Sequence, residues 1–107
     1  MAFYELRKYK IRRGKMNDWL KLMEGEIIPF QVSRGMVITA SFRGENDDSV
    51  YIWLRRFNSE KERERLYKAV YEHPQWVHDI APRVGKLIDR EKIEVQRVIP
   101  TKKSTTQ

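Results

Sequence analysis

Three side chains that could form a binding wall lie on one face of a predicted strand. Within the segment from Val50 to Phe57, Tyr51, Trp53 and Arg55 alternate with other residues, and alternate residues of a strand point to the same side. Their rings could stack on a flat compound while the guanidinium holds an anionic oxygen. Tyr, Trp and Arg are also enriched in protein interfaces. We favour that second interpretation, in which Arg55 pairs with a carboxylate of a partner subunit.

A second candidate group surrounds the proline at position 74. His73 and His78 could bind a metal or move protons, and Trp76 lies between them. The histidines are five residues apart with Pro74 between them, so they are not expected to share a helical face. The sequence therefore predicts no metal site and no cofactor. The candidate pocket residues are Tyr51, Trp53, Arg55, His73 and Trp76, and one of the two histidines, His73 or His78, is a candidate general base.

The composition excludes several classes of protein. The chain has 107 residues, enough for one domain with a core, and no cysteine, which excludes disulfide scaffolds and thiolate zinc sites. No apolar run approaches the length of a membrane span, and residues 1–15 lack the apolar segment of a secretory signal. We therefore expect a cytoplasmic protein without a membrane partner. The net charge of +7 attracts anions, but basic and acidic residues are mixed along much of the chain.

The periodicity of apolar residues predicts four strands. Met36, Ile38, Ala40 and Phe42 alternate with smaller or polar residues, which predicts that these four share one face of the second strand. The polar stretch 44–49 is typical of a hairpin turn that leads into the third strand. The strands are predicted over residues 3–11, 36–43, 50–57 and 89–99.

Helices are predicted between the first two and the last two strands. Apolar residues from Met16 to Phe30 follow a helical stripe, and Pro29 should bend or end its regular part. Ser59 and Glu62 form a capping-box pattern that starts a second helix, which continues to about Glu72. One or two short helices should follow in residues 75–87. Residues 1–100 then form one domain and residues 101–107 a polar, frayed tail.

The resulting order is β-α-β-β-α-β, the ferredoxin-like α+β fold with a four-stranded antiparallel sheet and helices on one face. Strands 1 and 3 carry apolar residues on both faces, although helices can cover only one of them. An exposed apolar sheet face of this size is unusual in a monomer. We therefore expect a homodimer in which two sheets pack face to face.

Several short motifs resemble the NIPSNAP family. They include Tyr4 to Arg7 with Tyr9, the Gly14-Lys15-Met16 helix start, the segment from Val50 to Phe57, and Tyr71 followed by Pro74 and Trp76. The resemblance spans about residues 3–100. It implies a dimeric α/β barrel, in which ferredoxin-like subunits pair their sheets, and a domain of undefined role that binds or handles a small molecule. The alternative that it implies is a cofactor-independent, monooxygenase-like enzyme acting on a small aromatic or carbonyl compound.

An RNA-binding module is the third possibility, because it has the same order of elements. Tyr9, Tyr51 and Trp53 occupy strands 1 and 3, where such modules display aromatic residues. The third strand, however, has no glycine and lacks the signature of that module. We therefore do not expect nucleic acid as a partner, and any binding should be electrostatic, through residues such as Arg12, Arg13, Lys15, Lys102 and Lys103.

Overall fold

A four-stranded antiparallel sheet forms the centre of the protein. The computed structural model describes all 107 residues. The spatial order of the strands is β2-β3-β1-β4, so the first and third strands lie in the middle, as the ferredoxin-like order requires. The strands are β1 (Phe3–Lys10), β2 (Val37–Arg43), β3 (Val50–Phe57) and β4 (Glu94–Val98).

The helical connections contain two π-helical turns. The first connection consists of α1 (Met16–Leu22), a π turn (Met23–Ile27) and α2 (Ile28–Ser33); the second begins with α3 (Glu60–Tyr71), a π turn (Trp76–Ile80) and α4 (Ala81–Leu87). Each π turn ends two residues before a proline, Pro29 or Pro82. Proline lacks an amide hydrogen and crowds the preceding turn, so the widened turns allow both connections to stay helical. None of the helices combines the length and apolar character needed to cross a lipid bilayer.

The alternation of β3 shows which sheet face the helices cover. Tyr51, Trp53, Arg55 and Phe57 are buried, whereas the residues between them are only partly buried. On β1, the residues paired with these four, from Phe3 to Tyr9 in steps of two, lie on the same side. The aromatic row therefore belongs to the core of its own subunit, and the opposite face carries the aliphatic residues of β3.

A bulge in β2 corrects the predicted pattern of that strand. Ile38 pairs with Arg55, but Ala40 pairs with the adjacent Leu54, so the register shifts at Thr39. Because successive residues of a strand alternate sides, the extra residue places Ile38 on the helix-covered face. Ala40 and Phe42 lie on the other face. The prediction that Met36, Ile38, Ala40 and Phe42 all share one face was wrong.

The start of α3 follows the predicted cap with one difference. The Ser59 hydroxyl accepts a hydrogen bond from the Glu62 amide at 3.1 Å, as expected. The Glu62 carboxylate accepts from the amide and side chain of Asn58 rather than from the amide of Ser59. The final residues fold back onto the sheet and do not form the predicted frayed tail. The carbonyl oxygen of Gln107 accepts hydrogen bonds from the Tyr4 hydroxyl and from Arg56.

Candidate functional site

A buried ion pair lies at the centre of the helix-covered face. Arg55 and Glu5 are directly paired across β3 and β1, and Arg55 Nη2 donates to Glu5 Oε1 at 2.9 Å. Arg63, from α3, donates to the other carboxylate oxygen at 2.8 Å. The carboxylate that neutralises Arg55 thus comes from its own chain, which corrects the interpretation that Arg55 pairs with a partner subunit.

Hydroxyl and amide groups complete the shell around Arg55. Its Nη1 atom donates to the Tyr71 hydroxyl at 2.7 Å and to Gln31 Oε1 at 3.1 Å. Burial raises the pKa of the Tyr67 hydroxyl to about 12, so this group stays protonated and donates to Glu5. Burial alone would raise the pKa of Glu5, but Arg55, Arg63 and Tyr67 outweigh that effect and lower it.

A cavity of about 150 Å³ lies beside this cluster, between the sheet and the helices. Ten of its thirteen lining residues are hydrophobic, and the aromatic walls include Tyr9, Trp19, Trp53, Tyr71 and Trp76. Tyr9 packs edge to face against both Trp19 and Trp53, with ring centres 5.7 Å and 6.1 Å apart. Such interlocked rings hold the walls of the cavity in fixed orientations.

Arg7 is the principal charged group of the cavity. It lies on β1 next to Trp53 of β3, and its Nε atom donates to the Tyr9 hydroxyl at 3.1 Å. Its guanidinium carbon lies 5.6 Å from the centre of the Tyr9 ring and 5.9 Å from that of Trp53. Burial raises the pKa of Tyr9, so its hydroxyl is a neutral partner and leaves the charge of Arg7 uncompensated.

Only two of the candidate pocket residues line the cavity, namely Trp53 and Trp76. Tyr51 lies against Trp19 and hydrogen-bonds Ser41 at 2.6 Å, and Arg55 faces the ion pair described above. His73 lies outside the cavity, where its ring packs against Phe30 and its Nδ1 atom accepts from the Gln75 amide at 3.0 Å.

Three polar lining residues were not among the candidates: Arg7, Gln31 and Arg90. Arg7 lies two residues before Tyr9 along β1, and alternate residues of a strand point to the same face. This spacing is the sequence signal that could have identified Arg7. Gln31 follows Ile27 by four residues, which puts it on the apolar stripe of the first helical connection. No group of three His, Asp or Glu side chains lies close enough together to hold a metal ion.

Tyr9, Tyr51 and Trp53 are at most 7% exposed. Stacking on nucleic-acid bases requires an accessible ring face. In this fold the helices cover the rings, so they cannot act as the stacking platform of an RNA-binding module.

Several solved structures resemble this fold over nearly its whole length. A NIPSNAP family protein from Agrobacterium tumefaciens is 28% identical, covers all of both chains and has a TM-score of 0.89. A second protein from the same organism, described as a NIPSNAP family protein with unknown function, is 24% identical over 99% of this chain and 94% of its own, with a TM-score of 0.88. A NIPSNAP-like domain protein from Burkholderia xenovorans is 17% identical over 96% and 88%, with a TM-score of 0.85. No curated protein matches the chain.

The fold defines a ferredoxin-like α+β domain with a cavity between sheet and helices. The NIPSNAP family model matches residues 4–104, nearly the entire sequence. The chain belongs to the NIPSNAP family, and the predicted resemblance is confirmed.

Proposed function

We propose that this protein is a small-molecule-binding domain and that the cavity beside Arg7 is its binding site. The observation that carries the proposal is a partly open cavity of about 150 Å³ that is lined mainly by aromatic and aliphatic side chains. Binding sites are commonly concave, mostly apolar and furnished with a few polar groups that orient the ligand. An apolar cavity of roughly this size can hold a ring as large as benzene.

Binding is favoured over catalysis by the kinds of side chain around the cavity. None of its lining residues is His, Asp, Glu or Lys, which are the usual groups for proton transfer near neutral pH. The Tyr9 hydroxyl has a raised pKa and is therefore a donor rather than a base. A monooxygenase-like reaction on an aromatic or carbonyl compound would need proton-transfer groups on the ligand itself, because the cavity has none of these side chains.

The proposal includes a homodimer formed through the uncovered sheet face. Leu6 and Leu54 are paired at the centre of that face, and Phe42, which is 57% exposed, lies toward its edge. A second copy of the chain would cover these residues by the same surface on both subunits. The cysteine-free composition is compatible with a reducing compartment, and we propose the cytoplasm.

The test uses a neutral probe that depends only on space and apolar contact. Toluene should shift the indole N–H signals of Trp19, Trp53 and Trp76 in a heteronuclear NMR titration. The variant Ile93→Phe, at a half-buried lining position, should fill the cavity and remove these shifts. Ile99→Phe is the matched control, because Ile99 is 60% exposed and does not line the cavity. Unshifted indole signals in the wild-type protein would refute the proposed site.

A further inference from the structure

We infer that the ligand of this cavity is a small organic anion, a carboxylate joined to a flat apolar body, with Arg7 as its counter-ion. This inference rests on the proposed function, which states only that the cavity binds a small molecule. It adds the chemical class of the ligand and the residue that recognises its charge.

The first observation is a set of buried hydrogen-bond donors without partners. Trp19 Nε1, Gln31 Nε2 and Trp53 Nε1 are buried, make no hydrogen bond and belong to residues that line the cavity. Leaving such a donor unsatisfied costs about 1–3 kcal/mol. No buried side-chain oxygen is unpaired in the same way. The residues that line the cavity therefore carry spare donors, which suits a ligand that supplies acceptors.

The second observation is the charge around the cavity. Arg7 forms no salt bridge, and its side-chain partners are the hydroxyls of Tyr9 at 3.1 Å and Tyr67 at 3.4 Å. Arg55, only a short distance away, is neutralised by Glu5. The other charged lining residue, Arg90, is also a cation and donates to a backbone carbonyl, that of Ala81. Arg7, half-buried and without a carboxylate partner, therefore favours an anion beside it in the cavity.

The two observations together specify both ends of the ligand. A guanidinium binds a carboxylate through two parallel hydrogen bonds, which suits a ligand with two oxygens on one carbon. The walls contributed by Trp53, Tyr71 and Trp76 suit a flat apolar group, and the volume of about 150 Å³ limits that group to about one ring. Benzoate has this combination of charge, shape and size and serves as the probe.

The experiment compares benzoate, toluene and benzylamine, which share a ring but differ in charge. Each probe is titrated into the wild-type protein, and the indole N–H signals of the tryptophans report its binding. We expect benzoate to bind more tightly than toluene, benzylamine to bind more weakly than either, and benzoate to shift the indole signals of Trp19 or Trp53 downfield. Arg7→Met, which keeps an apolar stem, should weaken benzoate binding about 30-fold or more while toluene binding changes little. Arg13→Met, at an exposed arginine, should change neither.

The outcomes separate this inference from the proposed function. Binding of toluene with no preference for benzoate would overturn the inference and leave the site intact as a neutral-ligand site. Binding of none of the probes would indicate that water alone satisfies the free donors, and it would overturn both. If Arg7→Met does not fold, the comparison of benzoate with benzylamine in the wild-type protein decides, because it needs no variant: equal affinities would overturn the inference.

Discussion

Arg55 shows how a polar residue can occupy the centre of a core. It is fully buried, yet its charge is matched by Glu5 and most of its donors have acceptors. A buried pair of this kind often adds little net stability over apolar residues of equal size. Loss of one partner is costly, however, because it strands the other charge away from water. Arg55 is therefore held by structural contacts beside the cavity, whereas Arg7, which lines the cavity, has no carboxylate partner.

The variant Glu5→Gln should reduce the free energy of unfolding at pH 7 by about 3–5 kcal/mol, since it leaves Arg55 buried without a counter-charge. The folded state lowers the pKa of Glu5 from its ordinary value of 4.5. The stability from its ionisation is therefore fully present above about pH 4.5 and is lost as the pH falls through the lowered pKa. Urea unfolding across this range should show the gap between wild type and variant narrowing in acid.

The double variant Glu5→Leu/Arg55→Met is the control for this prediction. It removes both buried charges at once, and Arg63 is exposed enough to be solvated when it loses Glu5. We expect the double variant to be more stable than Glu5→Gln. The single variants Glu5→Leu and Arg55→Met supply the comparison. If the loss of stability in the double variant equals the sum of their two losses, the charges do not act as a pair.

At the scale of elements, local patterns predicted most of the order of strands and helices. They did not predict which face of the sheet the helices cover. The alternation of Val50 to Phe57 and the stripe from Met16 gave the correct order of strands and helices. Both faces of β3 carry apolar residues, so the pattern alone could not indicate which face the helices cover. The bulge at Thr39 leaves no mark in the alternation of apolar residues. For the same reason the sequence identified Trp53 and Trp76 as pocket residues but not Arg7. Arg7 could be placed at the cavity only once the helix-covered face was known.

The cap of α3 can be tested by itself. The Ser59 hydroxyl satisfies the Glu62 amide, one of the free N–H groups of the first turn. Ser59→Ala should lower the free energy of unfolding by about 1 kcal/mol without changing the circular dichroism spectrum of the folded state. Ser59→Asp restores an acceptor at the same position and should recover most of that loss. Equal unfolding midpoints for the Ala variant and the wild type would contradict the capping role.

At the scale of the molecule, the sheet separates two sides of different composition. The helix-covered side contains the ion pair and the cavity, whereas the uncovered side presents Leu6, Ile52 and Leu54 together with the exposed Phe42. Tyr4, at one end of this uncovered face, is covered by the final residues of the chain. Most of the aliphatic surface thus stays available for a second subunit, while the cavity on the other side of the sheet is formed by residues of one chain.

The proposed dimer predicts a specific effect of charge on the uncovered face. Wild-type protein should scatter light as two 12.9 kDa chains at micromolar concentration. Leu54→Lys places a charge at the centre of the proposed interface, where two-fold symmetry brings two copies of it close together, and should produce a folded monomer. Val77→Lys, at an exposed helical position, should remain dimeric. A wild-type mass of one chain, independent of concentration, would contradict the dimer. If Leu54→Lys is a folded monomer, its binding of toluene tests whether the cavity is complete within one subunit.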